Sequence, residues 1–177
     1  MEIISHLYVH VPFCKTLCGY CDFMHRVYKE DIAEKWLQEL TVELQTKGVS
    51  KKVVKTCETV YIGGGTPTCL SDSVFERFLG VLRPYFSCAV EVTMEVNPET
   101  LTPFKVGVMR DMGINRVSMG LQSADPTLLK LMNRHHTYED VVKAIGMLKE
   151  VGITNISLDL MYSLPDQSIG LWKDTLE

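Results

Sequence analysis

Apolar residues along the chain follow two alternating rhythms: short β-type runs, and longer stretches in which they return every three or four positions. The runs at 7–11, 58–62, 89–96, 114–119 and 153–160 predict five strands. Between them, Ile32, Trp36, Leu40 and Leu44 recur at every fourth residue behind Asp31, an expected N-cap. Ser71 opens a second helical pattern with Val74, Phe75, Phe78 and Leu82, which stops before Pro84. Thr102 and Pro103 open a third, closed by Gly113, and Thr137 caps a fourth that carries Val141, Val142, Ile145 and Leu148 and ends at Gly152. Another helix begins between Gln167 and Leu171. Strand and helix in strict alternation predict an α/β fold with a parallel sheet and right-handed crossovers, left open or curled into part of a barrel.

A parallel strand with apolar layers on both sides reads as a continuous hydrophobic run, and three of these strands do not. In 89–96, Val90, Val92, Met94 and Val96 fall on one side, and Glu91, Thr93 and Glu95 on the other. In 153–160, Ile156, Leu158 and Leu160 oppose Ser157 and Asp159, and in the fourth strand Val117 and Met119 oppose Arg116 and Ser118 before the chain runs on to Gln122. With helices on one face, the other face looks into a polar cavity. Glu95, Gln122 and Asp159 then stand at or just beyond the C-terminal strand ends, where such folds place their ligands. The sequence YIGGGTPT (61–68) follows the second strand. Its three consecutive glycines let a backbone with bare N–H groups pass close to a ligand, although the spacing is neither that of a Walker A loop nor G-x-G-x-x-G.

Composition narrows the function classes. With 177 residues, 46% of them hydrophobic, the chain suits one globular domain with its own core. Its 18 basic and 22 acidic residues leave a net charge of −4, which argues against a nucleic-acid partner. The lysine-rich stretch KGVSKKVVK (47–55) is expected to be a solvated loop. No apolar run approaches the ~20 residues needed to span a bilayer. The first thirty residues lack the pattern of an export signal, so a cytoplasmic location with reduced thiols is expected.

Against that background the chemistry concentrates in CKTLCGYC (14–21). Cys14, Cys18 and Cys21 stand at C-x3-C-x2-C, directly after the apolar run LYVHVPF. A closed metal site takes four protein ligands. Three thiolates on one loop fit a [4Fe–4S] cluster with one iron open to an outside ligand. They also fit a zinc ion completed by His25 or by Cys57, Cys69 or Cys88. The last three are otherwise read as small buried or half-buried apolar residues.

Six ordered segments, CKTLCGYC, YIGGGTPT, MEVNPET (94–100), RVSMGLQS (116–123), NRHHT (133–137) and DLMYSLPDQ (159–167), resemble the radical S-adenosylmethionine superfamily. More narrowly they resemble oxygen-independent coproporphyrinogen III oxidases and their heme-chaperone relatives of the HemW type. The resemblance runs from about Leu7 to Gln167 and implies a partial (β/α) barrel holding a [4Fe–4S] cluster and S-adenosylmethionine. Position by position it implies that Cys14, Cys18 and Cys21 ligate three irons. The amino and carboxylate groups of the cofactor would chelate the fourth. Tyr8 and Tyr20 match positions beside the cluster and cofactor. Gly64, Gly65 and Thr66 match the loop that receives the methionyl amino end, and Arg134 fits the carboxylate. Glu95, Gln122 and Asp159 match residues that bind the amino group and ribose hydroxyls. The implied chemistry is electron transfer into the sulfonium, which cleaves the C5′–S bond and leaves methionine and a 5′-deoxyadenosyl radical.

Within the family, CGYCDF resembles the chaperones' C-x-Y-C-D-F, whereas the oxidases place a further cysteine at the position of Phe23. The short lead before Cys14 also fits the chaperones. The resemblance thus implies heme or a heme acceptor protein as partner, with an electron donor for the cluster, and no conversion of coproporphyrinogen. Departures are Gly19 where proline is usual, Met24 and His25 after the loop, and Ser163 where glycine is usual. His6, His10, His135 and His136 take no role. The five strands are one short of the family's six, so a radical SAM core over 1–177 that is incomplete at its C-terminal side, possessed by a truncated or inactive paralogue, is the further expectation.

Overall fold

Local rhythm becomes a sheet in the computed structural model, which describes residues 5–46 and 57–177. The stretch 47–55 lies outside the described residues. Strands β1 (His6–Val11), β4 (Thr59–Gly64), β5 (Glu91–Val96), β6 (Arg116–Gln122) and β7 (Asn155–Leu160) are all parallel, in the order β1-β4-β5-β6-β7. Two further segments, β2 (Phe13–Cys14) and β3 (Arg26–Val27), form a short parallel pair at the foot of the cysteine loop. The helices are α1 (Glu30–Thr46), α2 (Asp72–Leu82), α3 (Pro103–Met112), α4 (Pro126–Leu131), α5 (Tyr138–Glu150) and α6 (Ile169–Leu176).

Each strand of the main sheet neighbours the next one along the chain. Crossovers of one hand that always step in one direction place their helices on a single face. Val9, Val11, Val60, Ile62, Val92, Met94, Val96, Val117 and Met119 point to that face and are buried. They meet α2, whose Val74, Phe75, Phe78, Leu79 and Leu82 are all inaccessible, and α1 through Trp36, whose ring lies 5.6 Å from Phe13 and 5.3 Å from Phe78. Burying each of these side chains contributes roughly 1.5–3 kcal/mol. The opposite face is uncovered by helices and carries the polar residues.

Helix ends follow the cap chemistry in most places. The Ser71 hydroxyl accepts from Val74 N, the Thr102 hydroxyl from Lys105 N, and Thr137 forms a reciprocal capping box with Asp140. Four expectations need correction. Helix α1 begins at Glu30, so Asp31 is not its cap but lies in the first turn, where a carboxylate still opposes the helix dipole. Strand β5 begins at Glu91 and leaves Val90 79% exposed. Strand β6 extends to Gln122. Cys88 is exposed rather than buried. Helix α4, capped by the Asp125 side chain, has only 6 residues, too few to register as a periodicity. Among the described residues no helix is long and apolar enough to cross a membrane.

One buried cation braces the strand ends. Each of β4 and β5 runs into a 3-10 turn, Pro67–Cys69 and Pro98–Thr100. Lys105 Nζ donates to Thr68 O at 2.7 Å and to Thr100 O at 3.4 Å, and the two threonine hydroxyls meet at 2.7 Å. Burial pulls the Lys105 pKa down, and Asp72 at 3.8 Å pulls it back. Lys105→Met keeps the packing but leaves two buried carbonyls without their donor. It should lower unfolding stability by about 1–3 kcal/mol; an unchanged urea midpoint would show that the brace contributes nothing.

Candidate functional site

The cysteine loop is gripped from two sides. On one, the glycine loop presses against its foot: Gly65 N donates to Val11 O at 2.8 Å and Thr66 N to Phe13 O at 2.6 Å. A Cβ on Gly65 would collide with the Phe13 carbonyl and stand 3.0 Å from Cys14 Sγ, so only glycine permits this approach. On the other side, Gly19 N donates to Met132 O at 3.3 Å and Asn133 Nδ2 to Leu17 O at 2.7 Å, which ties the loop to the segment after α4. Asn133 sits there at φ 59°, a left-handed conformation that asparagine tolerates.

Cys14, Cys18 and Cys21 are unpaired, part-buried and line one cavity. Burial pushes the Cys14 thiol up in pKa, the Thr66 hydroxyl bonded to it pulls it down, and the neighbouring Cys18 and Cys21 raise it further. Thr66 Oγ1 donates to Cys14 Sγ at 3.6 Å, Arg134 Nη1 to Cys18 Sγ at 3.8 Å, and His25 Nδ1 lies 3.9 Å from Cys21 Sγ.

The far wall is built from strand ends in register. Glu95 pairs with Ser118, Ser118 with Ser157, and Gly120 with Asp159. Glu95 Oε1 accepts from Tyr61 OH at 2.7 Å and Oε2 from Gly64 N at 2.9 Å. Burial raises its pKa, against the pull of those two donors. A Cβ on Gly63 would stand 2.7 Å from the Glu95 carboxyl carbon, so that glycine makes room for the side chain. Asp159 accepts from Ser118 Oγ at 3.0 Å. Gln122 ends β6 at φ 66°, where the β6–β7 register shifts. Arg134 is 8% exposed; its Nη2 donates to Asn97 Oδ1 at 2.9 Å and to Gly120 O at 2.8 Å, and its Nε is buried with no partner among the described residues.

Every residue expected at the site except Tyr8 lines this cavity: Cys14, Cys18, Tyr20, Cys21, Gly64, Gly65, Thr66, Glu95, Gln122, Arg134 and Asp159. Tyr20 is half-buried, and burial followed by the Cys18 sulfur pushes its phenol up. Tyr8 stands outside the lining, 57% exposed, stacked at 6.1 Å on Tyr61 and bonded to His10 Nδ1 at 2.9 Å. The sequence pattern puts Ser118 on the cavity face but gives it no role, and it gives none to Asn97 or Tyr61. Asn97 continues the alternation of Glu95 by one step, so it too carries a signal. Tyr61 showed none. Three of the histidines left without a role acquire contacts: His6 Nδ1 lies 2.8 Å from Thr59 Oγ1, His10 Nε2 2.7 Å from Met24 O, and buried His136 Nε2 3.1 Å from Leu121 O.

Among the described residues no three His, Cys, Asp or Glu side chains converge on a single ion. A cubane cluster makes a different demand, because each thiolate takes its own iron. Three free thiols around one cavity, two of them already accepting from protein donors, fit such a group. The polar residues opposite them, with a backbone N–H at Gly64 and a guanidinium, fit a zwitterionic, hydroxylated ligand.

Known proteins show the same arrangement of sequence and fold. A heme chaperone HemW from Lactococcus lactis is 36% identical over 172 residues, which cover 96% of this chain and 44% of the relative. An oxygen-independent coproporphyrinogen III oxidase from Bradyrhizobium diazoefficiens is 34% identical and is covered over 39% of its length. The chain thus spans less than half the length of these relatives. The solved coproporphyrinogen III oxidase HemN of Escherichia coli, described as a radical SAM enzyme, superposes with a TM-score of 0.86 at 30% identity, over 99% of this chain and 41% of that one. The Radical SAM superfamily signature matches residues 8–177, essentially the whole of the sheet and its cavity, and this chain belongs to that superfamily.

Proposed function

We propose that the chain is a radical SAM core that holds a [4Fe–4S] cluster on Cys14, Cys18 and Cys21 and S-adenosylmethionine in the adjoining cavity, and that it is of the heme-chaperone type. The observation that carries the reading is the convergence of the three thiols with Glu95, Arg134 and Asp159 on one cavity, although they lie far apart in sequence. Bound there, the cluster would supply one-electron reduction. The chain's own residues would orient the ligand: Glu95 and Asp159 as acceptors for ammonium and hydroxyl groups, Gly64 to Thr66 as a close backbone wall, and Arg134 as the cation beside a carboxylate. The aromatic rings of Tyr20 and Phe23 stand at the rim, where they would limit water.

The chaperone assignment rests on Phe23, which lines the cavity where the resemblance places a cysteine in oxidases. Heme, a heme acceptor, an electron donor and a cytoplasmic site of action belong to the same proposal. With cluster, reductant and S-adenosylmethionine supplied, the 177-residue chain should leave coproporphyrinogen III unconverted and bind heme weakly at most. Formation of protoporphyrinogen, followed by chromatography, would transfer the protein to the oxidases. Tight stoichiometric heme binding, read from the Soret band, would keep the chaperone assignment and place the heme contacts in these residues.

A further inference from the structure

Asn97 is the first residue after β5, and Pro98 behind it restricts its backbone to the extended region it adopts, φ −109° and ψ 138°. Two hydrogen bonds then hold its side chain in one direction. Asn97 Oδ1 accepts from Arg134 Nη2 at 2.9 Å, and Asn97 Nδ2 donates to Thr66 Oγ1 at 3.0 Å. Each of those partners reaches a different cysteine, Arg134 Nη1 to Cys18 Sγ and Thr66 Oγ1 to Cys14 Sγ.

The direction of every bond in this chain follows from one fact. A guanidinium has no acceptor, so the Asn97 atom facing it must be the oxygen. The amide nitrogen then faces Thr66 as a donor, the Thr66 oxygen accepts, and the one hydrogen of its hydroxyl is left for Cys14. A metal-bound thiolate is an acceptor only, so both ends of the network terminate on sulfur correctly. Donors to ligand sulfurs stabilise the more negative, reduced state of an iron–sulfur cluster and raise its potential.

We propose that Asn97 is a positioning residue that directs the Thr66 and Arg134 hydrogen bonds onto Cys14 and Cys18 and thereby sets the reduction potential of the cluster. This rests on the cluster reading above. The test is a potentiometric titration, without S-adenosylmethionine, of the anaerobically reconstituted 177-residue chain. Asn97→Asp is nearly isosteric and still accepts from Arg134. Its second oxygen also accepts from Thr66, which turns the hydroxyl hydrogen away from Cys14. Thr66→Val removes the same bond without adding charge. Both variants should shift the midpoint potential to more negative values at unchanged iron content. Part of the Asn97→Asp shift comes from its charge. In a Thr66→Val background that substitution should therefore produce a smaller shift than in the unchanged chain, because the hydroxyl is already gone. An unmoved potential in Asn97→Asp, or an equal shift in both backgrounds, overturns the proposal. If Asn97→Asp fails to fold, as read from circular dichroism, an unmoved potential in Thr66→Val overturns it alone. Failure of the unchanged chain to assemble any cluster would instead remove the cluster reading itself, and this proposal with it.

Discussion

Replacing Cys14, Cys18 or Cys21 by alanine should each reduce the iron bound after anaerobic reconstitution from about four atoms per chain to near none, with loss of the broad visible absorbance of the cluster. The expected effect is all-or-none because the three residues share one loop, and two thiolates leave two irons without protein ligands. Controls come from the other cysteines. Cys57 is buried and its thiol donates to Thr59 O at 3.2 Å, at the start of β4, the end of the strand opposite the glycine loop. Cys88 is exposed just before β5. Cys57→Ala and Cys88→Ala should therefore retain the iron. Cys69 ends the 3-10 turn Pro67–Cys69 and does not line the cavity, and burial pushes its thiol up to about 12, so Cys69→Ala should retain the iron as well. One tightly held zinc per chain, with no absorbance after iron and sulfide treatment, would refute the cluster and return the loop to a structural metal site.

Adding S-adenosylmethionine to the reduced chain should alter its electron paramagnetic resonance spectrum, and Arg134→Ala should weaken that response by roughly 1.5–3 kcal/mol, on the order of 10- to 100-fold in affinity. Burial makes the loss large, since a guanidinium that is 8% exposed interacts in a medium with little water to screen it. The structure also limits how Arg134 can act. Both Nη2 hydrogens are taken by Asn97 and Gly120, and one Nη1 hydrogen reaches Cys18, so what remains is the other Nη1 hydrogen and the buried Nε hydrogen, which do not form a free two-pronged fork because the Nη2 between them is occupied. Arg134→Lys should therefore recover part of the affinity through charge, but not the bonds to Asn97 and Cys18. A spectrum that does not change at saturating S-adenosylmethionine in the unchanged chain would mean that these residues alone do not hold the cofactor.

How much of this was legible beforehand follows from the range of each interaction. Period-two alternation in β5, β6 and β7 is a property of neighbouring residues. It suffices to predict a sheet with one apolar and one polar face, and so to place Glu95, Ser118 and Asp159 on the cavity side. Three cysteines within eight residues and three glycines in a row likewise announce themselves locally, as do the Ser71, Thr102 and Thr137 caps. Strand starts and the short helix α4 were less legible, because a boundary depends on what the neighbouring strand offers to pair with: Val90 continues the pattern of β5 and its N–H donates to Glu58 O at 2.8 Å, yet β5 begins only at Glu91 and the Val90 side chain stays exposed.

The hydrogen-bond partners inside the cavity could come only from tertiary structure. Tyr61 meets Glu95 across 34 residues, Asn97 meets Thr66 across 31 and Arg134 across 37, and Arg134 reaches Cys18 across 116. Such pairs are set by the β4–β5–β6 register and by the path of the loops, and no short-range pattern encodes either. The sequence by itself determined which residues are polar at the strand ends and which loop carries the thiols. Folding decided which of those groups donate to which sulfur, because a hydrogen bond needs its two atoms within about 3 Å, or under about 4 Å where the acceptor is the larger sulfur, and correctly oriented, and only the assembled sheet brings them there.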